Sequence, residues 1–283
     1  MKSATGRRRY HFSLKSVLCL ITILCIGPGG YIAYEKDKCW KQRIAIEAFI
    51  ARGAIMEFAE RKGRSPLMCE LLGDDKNGRL IAISFAFCDI TDSDLKPLKL
   101  FPNLESVNIG DTSVTDTGVL ELTSRRSLKE LVAEGTAITD AGLVNCDASS
   151  SIEMLLLDRT TVGDEGMQYL ARMPHLTFLS LSETQITNCG VSVLASSVSL
   201  EKLNIAYTLV DDKGAINISR YGRLKFLEMN GTPLTTKGLA GLLNSHTIES
   251  LRILDTNVTD DQIAEIIKNN SMVRIVASKK QGE

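Results

Sequence analysis

From Leu80 onward an apolar residue returns every 24 positions, with no insertion or deletion: Leu80, Leu104, Leu128, Ile152, Leu176, Leu200, Leu224, Ile248 and Met272. Strict self-similarity at such a period marks a stack of small units, none of which can bury its apolar face alone. With that residue as position 1, position 4 reads Ile83, Val107, Leu131, Leu155, Leu179, Leu203, Leu227, Leu251 and Ile275. The resulting LxxLxL spacing, completed by Ile109 at position 6 of its unit, points alternate side chains inward from a short strand. Each strand then lies parallel on the next, and eight steps of about 4.8 Å give an inner arc of roughly 40 Å.

The rest of the unit has its own physical reading. Position 9 is Thr at 112, 136, 160, 184, 208, 232 and 256, a column of hydroxyls suited to backbone groups that a tight turn leaves unpaired. Thr-Asp at positions 12 and 13 (115–116, 139–140, 259–260) has helix N-cap chemistry. Gly118, Gly142, Gly166, Gly190, Gly214 and Gly238 hold position 15, where glycine costs helix propensity, so close packing is the expected reason. Apolar residues at positions 16 and 19 bury the helix against the strands. The end units differ: Asp94 and Gln262 stand where the inner units have Gly.

On these residues the chain resembles the leucine-rich-repeat family over 80–277, in the bacterial form with "TxVTDxGLxxL" units and Thr in place of Asn at position 9. With the uncharged run "SVLCLITILCIGPGGYIAY" at 16–34, the linker after it and the "LLGDDKNGRLIAISF" entry strand, it also resembles the membrane-anchored repeat proteins of planctomycete-type bacteria. The resemblance implies an α/β leucine-rich-repeat solenoid, a curved parallel sheet on its concave face and short helices on its convex face. It also implies binding of other macromolecules through the concave strands, and no defined biochemical activity.

The N-terminus has a different grammar. Lys2, Arg7, Arg8, Arg9 and Lys15 precede the uncharged run "SVLCLITILCIGPGGYIAY" at 16–34, at the short end of a membrane span. The positive-inside rule keeps 1–15 in the cytoplasm and places 35–283 outside the inner membrane, in the periplasm or beyond. A cleaved signal peptide is the alternative, although no convincing small-x-small site follows the run. Residues 35–79 read as a juxtamembrane helix and N-terminal cap. Trp40, Ile44, Phe49 and Ile50 are assigned to one face of a helix over 36–52, ended by Gly53, with a short strand at 54–58 and a helix at 65–72. A membrane-surface or dimerising role for the first helix is the alternative. Residues 278–283 form a charged tail.

Several functions are disfavoured. A formal charge of −1 gives no basic footprint for nucleic acid. The seven cysteines make no metal-like pair and no disulfide framework. His11, His175 and His246 have no repeat-based reason to meet a nucleophile, and no cofactor is implied. The triplets Asp111-Thr112-Ser113 and Asp116-Thr117-Gly118 look like aspartic-protease lettering. They sit at different positions of one unit, so the two carboxylates are expected to diverge.

Positions 3, 5, 7 and 8 should point away from the core. Val132, Met154, Leu156 and Phe178 are then expected to form an exposed apolar patch, extended by Tyr207 and Phe226, with Glu228 and Arg252 further along the same face. Asp111, Glu134, Asp158 and Glu183 form an acidic edge beside it, with no expectation of metal binding. The function these features imply is a non-enzymatic protein-binding scaffold, its partner an unidentified protein or an envelope polysaccharide. The alternative is a substrate-recognition subunit of a degradation (ubiquitin-ligase-like) machinery.

Overall fold

The computed structural model describes residues 14–59, 79–146, 151–268 and 273–277, without the side chains of 14–32 and 267–268. The expected helix at 65–72 and the tail at 278–283 lie outside the described residues. Ten strands form one sheet in chain order: β1 (Ile55–Ala59), β2 (Arg79–Ser84), β3 (Ser106–Asn108), β4 (Glu130–Val132), β5 (Met154–Leu156), β6 (Phe178–Ser180), β7 (Lys202–Asn204), β8 (Phe226–Glu228), β9 (Ser250–Arg252) and β10 (Arg274–Val276). β1 is antiparallel to β2, and every later pair is parallel. The register follows the sequence period: Val107 pairs with Leu131, Leu131 with Leu155, Leu155 with Leu179.

The second layer is α2 (Asp92–Leu95), α3 (Asp116–Thr123), α4 (Met167–Leu170), α5 (Asn188–Leu194), α6 (Asp212–Ile218), α7 (Thr236–Leu242) and α8 (Asp260–Lys268), with 3₁₀ turns at Lys96–Leu100 and Asp140–Leu143. The core lies between the layers. Leu131, Leu155 and Leu179 at position 4, Ile109, Leu157 and Leu181 at position 6, and Leu122, Leu170 and Leu194 at position 19 are all fully buried. Strands repeat about every 4.8 Å, whereas packed helices need 8–10 Å, so the stack bends with the sheet inside.

The turns between layers give the repeat its stability. Position 8 is left-handed in each of the first eight units: Phe87, Asp111, Gly135, Arg159, Glu183, Tyr207, Gly231 and Asp255 all have φ between 53° and 63°. Only two of these are glycine. The Thr hydroxyl that follows at position 9 donates to the position-6 carbonyl of its own unit, at 2.6–3.2 Å from Thr112 to Thr256.

The acidic residue at position 13 does something the sequence alone did not disclose. It reaches the following unit. Asp164 Oδ1 accepts from Thr187 N–H at 2.8 Å and Gly190 N–H at 2.9 Å, and its Oδ2 accepts the Thr187 hydroxyl at 2.6 Å. Asp92, Asp116 and Asp212 clasp Thr115, Thr139 and Thr235 in the same way. The Thr at position 12 is the N-cap, as expected. The Asp beside it is a staple between units.

That staple explains the glycine column. A Cβ on Gly118, Gly142, Gly166, Gly190, Gly214 or Gly238 would lie 2.4–2.6 Å from the Oδ1 of the preceding unit's position-13 side chain. It also explains the end units. Asp94 belongs to the first unit of the repeat, and Gln262 follows Thr236, whose hydroxyl replaces a carboxylate. Both end units close a capping box instead: Thr91 N–H donates to Asp94 Oδ2, and Thr259 N–H to Gln262 Oε1, each at 3.0 Å.

At the N-terminus one helix, α1 (Leu14–Ala51), runs through both segments that the sequence divides at residue 35. Ala45, Ile46 and Phe49 are buried, with the Phe49 ring 5.3 Å from Phe85 and 6.2 Å from Phe101. Gln42 Nε2 donates to the Leu100 carbonyl at 2.6 Å. The single apolar face expected for this helix is not found. Trp40, Ile44 and Ile50 are exposed, because at 100° per residue Trp40 and Phe49 fall on opposite sides. Gly53, at φ 87°, ends the helix. No helix among the described residues is long and apolar enough to cross a membrane. The side chains of 16–32 are outside that set.

Candidate functional site: the outer face of the sheet

Alternation along a three-residue strand buries position 4 and turns positions 3 and 5 away from the core. On β4, β5 and β6 those outward positions carry Val132, Met154, Leu156 and Phe178, all half-buried. Sheet register sets Val132 beside Leu156 and Met154 beside Phe178. The four expected patch residues therefore do share one contiguous surface.

Tyr207 and Phe226 do not extend that surface as expected. Lys202 on β7 stands between Phe178 and Phe226, its Nζ 6.0 Å and 5.4 Å from the two ring centroids. It interrupts the apolar run with a cation held over aromatic faces. Tyr207 belongs to the position-8 row, where its ring covers Gly231 and its hydroxyl donates to Asp255 Oδ2 at 3.4 Å. Glu228 and Arg252 pair with each other at 3.4 Å, and Glu228 also accepts from Asn230 Nδ2 at 2.5 Å.

The acidic edge divides into committed and uncommitted groups. Asp111 pairs with Arg159, two units away, at 3.1 Å, and passes over Gly135, where a Cβ would sit 2.3 Å from the Asp111 carboxylate. Asp158 Oδ1 accepts from the Ser182 N–H and the Ser180 hydroxyl, each at 2.6 Å. Burial nevertheless pushes the Asp158 carboxyl above the usual carboxylate range, with Glu183 adding to the push and the Ser180 and Ser182 hydrogen bonds opposing it. Burial likewise raises Glu134, helped by Asp158 and Asp111 and opposed by Arg159. The side chains of Glu134 and Glu183 make no direct hydrogen bond or ion pair among the described residues. No group of three acidic, Cys or His side chains that could hold a metal ion occurs among the described residues. Asp111 and Asp116 diverge: the first faces Arg159 and the second clasps Thr139, which leaves no carboxylate dyad.

Sequence reasoning missed Arg159 and Lys202, the cations that subdivide the face. Their signal was available: Arg159 is two periods after Asp111, and Lys202 is one period from both Phe178 and Phe226.

A parallel sheet with one unit per strand and helical or 3₁₀ returns is the leucine-rich-repeat solenoid fold. The Leucine Rich repeat family model matches residues 172–195, a single period. Among solved structures, internalin C2 from Listeria monocytogenes is similar at 21% identity, with 73% of this chain and 88% of that one covered and a TM-score of 0.53. A second Listeria monocytogenes internalin, inlF, is 17% identical, with 75% of this chain and 66% of that one covered and a TM-score of 0.50. At these identities the likeness is one of fold. No curated protein matches the chain.

Proposed function

We propose that this chain is a non-enzymatic scaffold that binds another protein through the outer, concave face of its repeat sheet. The supporting observation is that Val132, Met154, Leu156 and Phe178, each half-exposed, share the outward side of β4–β6. Apolar side chains gathered on a partly exposed face are a mark of an interaction site. Leucine-rich-repeat solenoids are in general protein-binding frameworks, which agrees with this reading. The apolar run at 16–34 then serves as an uncleaved signal anchor, with the repeats displayed outside the inner membrane.

The test is partner capture by proximity labelling from the full chain in its native cell. Leu156→Asp with Phe178→Asp should abolish labelling of the partner while the thermal midpoint stays within a few degrees of the parent. Undiminished labelling by the folded variant rejects the face. Membrane fractionation with external protease tests the anchor, and a soluble product would reject it.

A further inference from the structure

We infer that the occupant of this face is a protein segment that sets an apolar side chain on Val132, Leu156, Met154 and Phe178 and a Lys or Arg against the carboxylates beyond the ends of β4–β6. The inference rests on the protein-binding reading above and adds the chemistry of the partner. Charge complementarity carries it. The strip at positions 7 and 8 beside the patch holds four carboxylates, Asp111, Glu134, Asp158 and Glu183, against one cation, Arg159. Arg159 is already engaged by Asp111. The Glu134 and Glu183 side chains feel the Arg159 charge but make no direct bond among the described residues, and the strip keeps a net negative charge immediately next to apolar surface.

The other side of the patch has the opposite character. Lys202 is held over Phe178 and Phe226, so a cationic group approaching from β7 meets a like charge. The polarity of the docked segment follows: apolar anchor on the strands, cation toward the turns. Glu134 and Asp158 are also partly desolvated before anything binds, which lowers the further dehydration cost of pairing them with a cation. A second copy of this chain would bring a like-charged strip. A glycan would find no indole to stack on here, since the chain's one Trp is Trp40 on α1.

The probe is a library of random twelve-residue peptides displayed against the full chain. Enriched sequences should carry Lys or Arg within a few residues of Leu, Ile, Met or Phe. A representative peptide should bind about tenfold more weakly to the double variant Glu134→Gln, Glu183→Gln, and more weakly again as salt rises. The side chains of those two glutamates make no direct bond among the described residues, so the double variant should keep the parent's thermal midpoint, which is the control on its folding. Acidic or uncharged peptides that still lose binding in Leu156→Asp would overturn the cationic partner and leave the face standing. Peptides indifferent to Leu156→Asp would overturn both, as would the absence of any enrichment. Selective capture of the chain on a glycan array, lost in Leu156→Asp, would overturn the protein partner in favour of a polysaccharide.

Discussion

The two sides of each repeat use polar residues in opposite ways. At positions 12, 13 and 15, on the helical side, nearly every unit has the same chemistry, and each group is consumed by its neighbour. Asp164, for example, takes three hydrogen bonds from the next unit, and Gly190 is small because Asp164 needs the room. At positions 3, 5, 7 and 8, on the strand side, residues change from unit to unit and some are left over. Position 8 shows the contrast most sharply. Its backbone is left-handed throughout, and Gly135 and Gly231 meet that demand without cost, yet other units hold Arg, Glu, Tyr, Asp or Phe there. Uniformity marks the residues that hold the stack together. Variation at a strained position marks side chains retained for what they contact.

The largest expected effect tests the staple. Gly190→Ala would place a Cβ 2.4 Å from Asp164 Oδ1, and it should cost about 2–4 kcal/mol in urea unfolding through lost bonds and forced backbone shifts. Gly222→Ala, with nothing within 4 Å of the new Cβ, should stay within about 0.5 kcal/mol of the parent. Equal effects would dissolve the distinction between stapled and free glycines.

A second prediction turns on the junction whose N-cap is itself acidic. Where the N-cap is Asp211 and not Thr, position 13 of the preceding unit is Asn188, whose Nδ2 donates to Asp211 at 2.8 Å. An Asp N-cap has no proton to give, so the staple supplies it. Asn188→Asp should therefore destabilise by roughly 1–3 kcal/mol at neutral pH, and Asp211→Thr should recover most of the loss. A double-mutant cycle with no coupling would reject the account.

The concave side should behave oppositely. Glu183→Gly relieves a left-handed residue whose side chain has no direct partner, so stability should hold or rise by up to about 1 kcal/mol. Binding of a cationic peptide should weaken at the same time. A clear loss of stability would assign Glu183 to the framework.

The smallest effect is a pH dependence. Glu134 and Asp158 bind protons more readily in the folded chain than in the unfolded one, since burial raises both. Their contribution is therefore unfavourable at neutral pH and is relieved as pH falls through the raised values toward the ordinary carboxylate range. Comparing the pH profile of unfolding with that of Glu134→Gln, Asp158→Asn should show this relief only in the parent. An identical slope in both would place the groups in solvent.

Much of this architecture was legible in the chain. The period alone set the strand register, the buried columns and the place of the N-caps, because a repeat in sequence forces a repeat in space. Even the departures were readable in hindsight, since Gln262 follows Thr236 and Asp211 follows Asn188 by about one period. Other features depended on the direction in which side chains leave a turn. Only the folded chain joins Asp111 to Arg159 across Gly135, inserts Lys202 between two phenylalanines, and buries Phe49 while exposing Trp40. Periodicity fixes which residues share a row, because one backbone rule applies to every unit. Which members of a row touch is set by side-chain length and rotamer across neighbouring units, and those are decided by packing in three dimensions.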